Sequence, residues 1–355
     1  MNSNANPEPG IGHADRRWLF EGIGLTAVIV ALAILFILIN PRFGTITNFI
    51  NILTQASFII VMAVGMTFVI TSAGIDLSVG SAVAFITVVA FGLIKGGLNP
   101  LLGVAFMFAL GAFLGFLTGS LVAYVKIPPF ITTLGMMAGL RGLALVHSAG
   151  EMHFGLPTSV TYVGQGVLGG VPVPVIISLA AAVFGAWLFN RTRFGLHVRA
   201  IGGNREAARL AGVPVNRVEV MVYVLMGLFT ALGGLIMMAR IDSTQATIGT
   251  AMEIHVISAV IIGGTSLFGG RGTVYGSVMG ALLLAMMTNA LIIAGVDFFW
   301  QLVVMGGIVL IAVAISNLRE QRIPALAQFM RREPPGGAES EPARGPAQNQ
   351  GGTLS

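Results

Sequence analysis

Residues 50–71 read INILTQASFIIVMAVGMTFVIT, twenty-two consecutive positions without one Asp, Glu, Lys or Arg. A helix needs about 20 mostly apolar residues to cross roughly 30 Å of hydrocarbon, so this stretch predicts a membrane span. Runs of the same character lie near 18–39, 77–95, 101–124, 128–147, 174–190, 218–240, 254–268, 274–294 and 298–316. The expectation is an all-α polytopic membrane protein of about ten transmembrane helices. Two runs are weak: 254–268 is short, and 77–95 starts in the polar segment Ala73-Gly74-Ile75-Asp76-Leu77-Ser78. These two are the candidates for broken or re-entrant helices.

Composition agrees. Of 355 residues, 55% are hydrophobic and 9% charged, whereas soluble domains carry about a quarter charged residues. With 19 basic and 14 acidic side chains, several of them in the tails, there is no polar shell for a soluble core, and the bilayer takes its place. The absence of cysteine excludes disulfides and thiolate metal sites, and the five histidines form no cluster, so no metal site is expected. The net charge of +5 is spread between apolar runs, which fits lipid topology and not nucleic-acid binding. The first run ends in Asn40-Pro41-Arg42 without a small-residue cleavage pattern and reads as a retained span.

Basic residues in short loops orient the chain. Arg16 and Arg17, Lys126, the cluster Arg191, Arg193, Arg199, Arg205, Arg209 and Arg217, then Arg271, and finally Arg319, Arg322, Arg331 and Arg332 all fall on one side if the count is ten. The other side holds Arg42, Lys95 and Arg240 against Glu151, Asp242, Glu253 and Asp297. Both termini are therefore expected in the cytoplasm. The organisation expected is a tail at 1–17, a membrane domain at 18–318 with a cytoplasmic loop at 191–217, and a polar tail at 319–355 whose Pro, Gly, Glu and Ala content is too low in apolar residues to pack.

Glycines recur at small-xxx-small spacing at Gly111/Gly115/Gly119, Gly135/Gly139 and Gly276/Gly280, the pattern by which membrane helices approach closely. Proline opens helices at Pro128-Pro129 and at Pro172 and Pro174, where a missing N–H costs nothing. The glycine-bearing segments 73–81 and 263–272 share a character and each precedes a helix, which points to an internal repeat with breaks at corresponding positions. The plainer reading is an interfacial turn in which Asp76 or Ser78 caps the next helix.

Ion-coupled pumps carry ionisable groups deep in the bundle, yet here only Asp76 approaches membrane depth among the acids. Arg141 is the one clear intramembrane cation. It has to face water, pair with backbone carbonyls or find a carboxylate, of which Asp76 is the nearest candidate, unless its helix is short and it snorkels to the interface. The chain has no phosphate-cradling loop either, because its only lysines, Lys95 and Lys126, lack the required glycine and hydroxyl neighbours. ATP, if used, belongs to another chain.

The longest basic loop supplies the decisive text. In Arg199-Ala200-Ile201-Gly202-Gly203-Asn204-Arg205-Glu206-Ala207-Ala208-Arg209-Leu210-Ala211-Gly212-Val213-Pro214, Asn204 is an N-cap, Glu206 suits the first turn, and Gly212 with Pro214 is a stop, so a short helix is predicted over 204–212. Its small-residue face suits a partner's groove. Glu206-Ala207-Ala208 followed by Gly212 resembles the Glu-Ala-Ala…Gly motif of ATP-binding-cassette (ABC) importer permeases. Segments 73–80, 127–135, 201–204, 262–266 and 270–272 resemble the ribose/xylose-type branch of that family, and the resemblance runs over roughly residues 20 to 318. It implies a permease for a monosaccharide in a bacterial-type cytoplasmic (inner) membrane. It implies that Asn204, Arg205, Glu206, Ala207, Ala208, Arg209 and Gly212 couple it to a cytoplasmic ATPase subunit. It further implies a second permease copy or a related permease, an external, periplasmic sugar-binding protein, and no cofactor on this chain, with ATP and Mg used by the ATPase.

A polar solute needs hydrogen-bonding groups or a wet channel in the membrane. Gln55, Asp76, Ser78, Thr132, Thr133, Arg141, Asn289 and Gln301 are the candidate pathway residues, though Ser and Thr also bond their own helix and Asn289 or Gln301 also serve as helix contacts. No nucleophile-base pairing stands out, so an enzyme is not expected. The alternatives are a permease of the same class for a nucleoside, a branched-chain amino acid or a sugar-derived signal, and a stand-alone secondary transporter or facilitator.

Overall fold

The computed structural model describes residues 14–297, 299–301, 303–308, 310, 311 and 314, the backbone alone for 14–23. Residues 1–13 of the tail read at 1–17, the whole tail read at 319–355 and part of the tenth run lie outside the described residues. Helices α1 (Ala14–Ile39), α2 (Ile46–Thr71), α3 (Val79–Lys95), α4 (Pro100–Ala123), α5 (Pro129–Ser148), α6 (Thr158–Gln165), α7 (Val173–Arg191), α8 (Arg193–Gly203), α9 (Arg205–Leu210), α10 (Val215–Ile241), α11 (Met252–Ile262) and α12 (Val274–Ile293) follow in order. Residues 299–301 and 303–308 are helical as well. Among the described residues, α2, α4, α5, α7, α10 and α12 are each long and apolar enough to cross a membrane. The chain is a multi-pass membrane protein.

The core lies where α2 and α10 cross, with Met62, Met66, Met226 and Ile236 fully buried. On the other side of α10, Gly111, Gly115 and Gly119 turn the face of α4 against Gly227, Tyr223 and Val220. A Cβ at Gly119 would lie 2.8 Å from the Val220 Cα, so only glycine permits this approach, which replaces the hydrophobic driving force absent between helices in lipid. Gly276 and Gly280 do the same for α12 against α11. Gly135 and Gly139 differ. Among the described residues, nothing beyond the local backbone of α5 comes within 4 Å of a Cβ built on either one, while α5 buries Thr133, Leu140 and Ala144 on its other face.

The two weak runs are both broken. Residues 74–78 are outside any helix, α3 starting only at Val79. Non-helical backbone inside a bundle has to be satisfied: the Tyr223 hydroxyl donates to the Ile75 carbonyl (3.3 Å), and the Ser78 N–H and hydroxyl donate to the Asp76 carboxylate (2.8 and 2.6 Å). The run expected at 254–268 is an 11-residue helix, α11, about 16 Å long at 1.5 Å per residue and so about half a crossing. Ahead of it, residues 242–251 leave α10 through left-handed Asp242 (φ 50°) and reach α11 through Gly249 (φ 73°) and Ala251 (φ 62°). Ser243–Thr244 pair antiparallel with His153–Phe154.

Candidate coupling surface and solute path

Thr192 accepts a bond from the Gly195 N–H (3.4 Å) and starts α8. One extended residue, Asn204 (φ −159°), then turns the chain and caps α9 by accepting from the Ala207 N–H at 2.9 Å. Gly212 (φ 82°) ends the unit in the left-handed region that glycine adopts without strain, and the Val213 N–H returns to the Ala208 carbonyl at 3.0 Å. The helix is thus Arg205–Leu210, shorter than the 204–212 expected, with Asn204 and Gly212 as its boundaries. Ala208 is buried and Arg205 is ion-paired with Glu219 of α10, which fixes one side. Glu206, Ala207 and Leu210 stand outward, Leu210 at 76% exposure. The Glu206 carboxylate takes a bond from the Arg209 Nε (3.0 Å), which holds it below the usual carboxylate range. Leu210 was not among the sequence candidates, and nothing in its type or spacing marks it apart from a core leucine.

Three of the sequence motifs converge behind this surface. The Gly270 N–H donates to the Thr71 carbonyl at 2.8 Å, tying the α11–α12 turn to the end of α2. Gly202 of α8 lies so close that a Cβ there would collide with the Thr71 carbonyl oxygen, and one at Gly269 would meet Ala73 and the Gly202 carbonyl. The segments read as a repeat therefore touch, joined by the loop that carries α9.

The pathway candidates do not gather into one site. Asp76 is occupied by Ser78, and it makes no ion pair with Arg141 among the described residues, contrary to the expected partnership. Arg141 instead donates to the carbonyls of Ala246 and Ile248 (3.1 Å to the latter) in the segment ahead of α11. Asn289 and Asn48 exchange side-chain amide bonds, each 3.0 Å, and so clamp α12 to α2. Thr133 bonds the Pro129 carbonyl (2.9 Å), Thr132 the Ile127 carbonyl (3.4 Å) and Gln301 the Val296 carbonyl (2.8 Å), while Gln55 sits half-buried in α2. Two acids missed as interior groups are inside the bundle: Glu219 is buried in α10, and Glu253 opens α11. At the end opposite α9, a hollow of about 460 Å³ lies between Phe91, Lys95 and Met152–Phe154, with His153 stacked on Phe91 at 5.6 Å.

Residues 48–313 match the family described as branched-chain amino acid transport system / permease component. The chain is 41% identical to the ribose import permease protein of Escherichia coli over 310 residues, covering 86% of this chain and 96% of the relative. It is 42% identical to the Bacillus subtilis ribose import permease protein over 297 residues (83% and 91%). Against the galactose/methyl galactoside import permease protein of Salmonella typhimurium identity is 36% over 324 residues (86% and 96%). No solved structure matches. The chain belongs to this permease family.

Proposed function

We propose that this member of the permease family is the membrane-spanning subunit of an ABC importer for a monosaccharide, a pentose or hexose, in the cytoplasmic membrane. The observation that carries this reading is the similarity, over more than four-fifths of the chain, to import permeases named for ribose and for galactose. A separate ATPase subunit docks on α9, using ATP and Mg. The outward Glu206, Ala207 and Leu210 beside a buried Ala208 support this, since a short helix with one anchored side offers a rigid face to a groove. That end of the bundle is then cytoplasmic. An external sugar-binding protein meets the opposite end, where the Lys95 hollow offers a cation at the rim. A second permease copy packs on α5, where a Cβ at Gly135 or Gly139 would meet open space among the described residues although such glycines serve close helix approach.

The test is ATP-dependent uptake of labelled pentoses and hexoses in vesicles holding this chain, its ATPase and its binding protein, with Glu206→Arg as the comparison. Loss of both uptake and ATPase co-purification in the variant supports the reading. Uptake by this chain alone, without ATP and indifferent to the substitution, refutes it in favour of a facilitator.

A further inference from the structure

The segment that leaves α10 and returns to start α11 lies beside two charges that the roles above leave unused, Glu253 in the first turn of α11 and Arg141 of α5. Gly249 and Gly80 meet backbone to backbone, placing the starts of α3 and α11 side by side. The turn after α11 is tied to Thr71 and Gly202 through Gly270 and Gly269, and α11 is about 16 Å long, which puts its start about half of a roughly 30 Å hydrocarbon layer from its other end. There Glu253 presses its Oε2 against Gly80, where a Cβ would come within 2.5 Å of it. The carboxylate accepts no hydrogen bond and makes no ion pair among the described residues, although the Arg141 guanidinium lies within Coulombic reach. Arg141 holds the Ala246 and Ile248 carbonyls through one terminal nitrogen, Nη1. Of the five N–H donors of a guanidinium, those on Nε and Nη2 stay unengaged within the described chain. Both side chains are half-exposed.

An ionised pair held apart at mid-membrane is costly in lipid, so the open side of both groups faces water. The two offer opposite chemistry across that gap, acceptor oxygens on one side and N–H donors on the other. A hydroxyl donates one hydrogen and accepts another, so neighbouring hydroxyls on one solute satisfy both sides at once through charge-assisted bonds.

We propose that Arg141 and Glu253 form a mid-membrane polyol-binding pair, Glu253 accepting a hydroxyl hydrogen of the solute in transit and Arg141 donating to a neighbouring hydroxyl oxygen. The inference rests on the sugar-importer reading above. Because the carbonyls of Ala246 and Ile248 hold Arg141 in place, Glu253 is the member to vary without disturbing the segment. Contact is brief by design, as a carrier site that holds its solute too well stops conduction.

The experiment uses the full permease–ATPase–binding-protein complex in vesicles with saturating loaded binding protein. Uptake of the preferred sugar is compared with that of analogues lacking single hydroxyls, for wild type, Glu253→Gln, Glu253→Asp and Arg141→Lys. The expected result is assembly retained by co-purification, uptake reduced at least tenfold in Glu253→Gln, partial recovery in Glu253→Asp, and discrimination against one deoxy analogue lost in Glu253→Gln. A merely structural Glu253 would not change that discrimination. Wild-type uptake and discrimination in Glu253→Gln overturn the proposal, as does failure of every Glu253 variant to assemble. If wild type itself imports no sugar, the importer reading fails first, and separably.

Discussion

Asn289→Leu isolates what a polar residue inside a span is for. In the structure the Asn48 and Asn289 amides exchange two bonds at 3.0 Å, and Asn48 also donates to the Phe43 carbonyl at 3.0 Å; both residues are 8% exposed. Leucine is of similar volume, so the change removes both exchanged bonds with little loss of packing, and it leaves the Asn48 oxygen buried without a donor. Interhelical hydrogen bonds in membranes average about 0.6 kcal/mol, which puts the pair near 1.2 kcal/mol. Stranding a buried polar atom costs about 1–3 kcal/mol. Asn289→Leu should therefore destabilise the chain by about 1–3 kcal/mol in SDS titration of purified protein. Asn48→Leu in the same background should add less than it costs alone, by about 1 kcal/mol, because it removes the stranded group. Uptake should persist at temperatures where the variant stays folded, since each amide is spent on the other. A fully stable variant that has lost uptake would refute this argument and return Asn289 to the solute path.

Gly202→Ala should leave the spans intact but strain the junction with Thr71 by about 1–3 kcal/mol, read as reduced uptake with the ATPase still co-purifying. Gly115→Val should prevent close approach of α4 and α10 and lower the yield of folded protein in detergent, whereas Gly139→Val, at a position where an added Cβ has open space among the described residues, should fold normally and fail to form the two-copy assembly on cross-linking. Asn204→Ala removes the α9 cap, a change worth about 1 kcal/mol of helix stability, and should weaken ATPase binding in a titration without altering the unfolding of the spans.

The spans were legible because lipid imposes a length and a polarity that composition alone reveals, as in the uncharged stretch 50–71. The short α9 was legible because caps are local: Asn204 and Gly212 act on backbone two or three residues away. What distance in sequence conceals was not legible. Glu253 reads as loop because charge-based orientation assigns whatever lies between apolar runs to the membrane exterior, and nothing local tells that residues 242–251 fold back to meet Gly80. The expected Asp76–Arg141 pair failed for the opposite reason, a local one: Ser78, two residues on, satisfies Asp76 more cheaply than a partner on α5 can. Gly135 and Gly139 carry a packing signal with no object among the described residues of one chain.

The broken helices and the α9 loop are parts of one mechanical element. At Gly202, Gly269 and Gly270 the contacts are with backbone or with the Ala73 methyl, none of which can rotate out of the way, and close-packed interiors pass on strain of this kind. A displacement of α9 that the junction survives must move the α11–α12 turn. A short continuous helix such as α11 has no kink-forming residue to absorb the motion, so its other end, which carries Glu253, moves too. Arg141 stays with Ala246 and Ile248, on the far side of left-handed Gly249 and Ala251. Under the docking proposed for α9, the distance between the two charges is therefore the quantity that motion at that end changes.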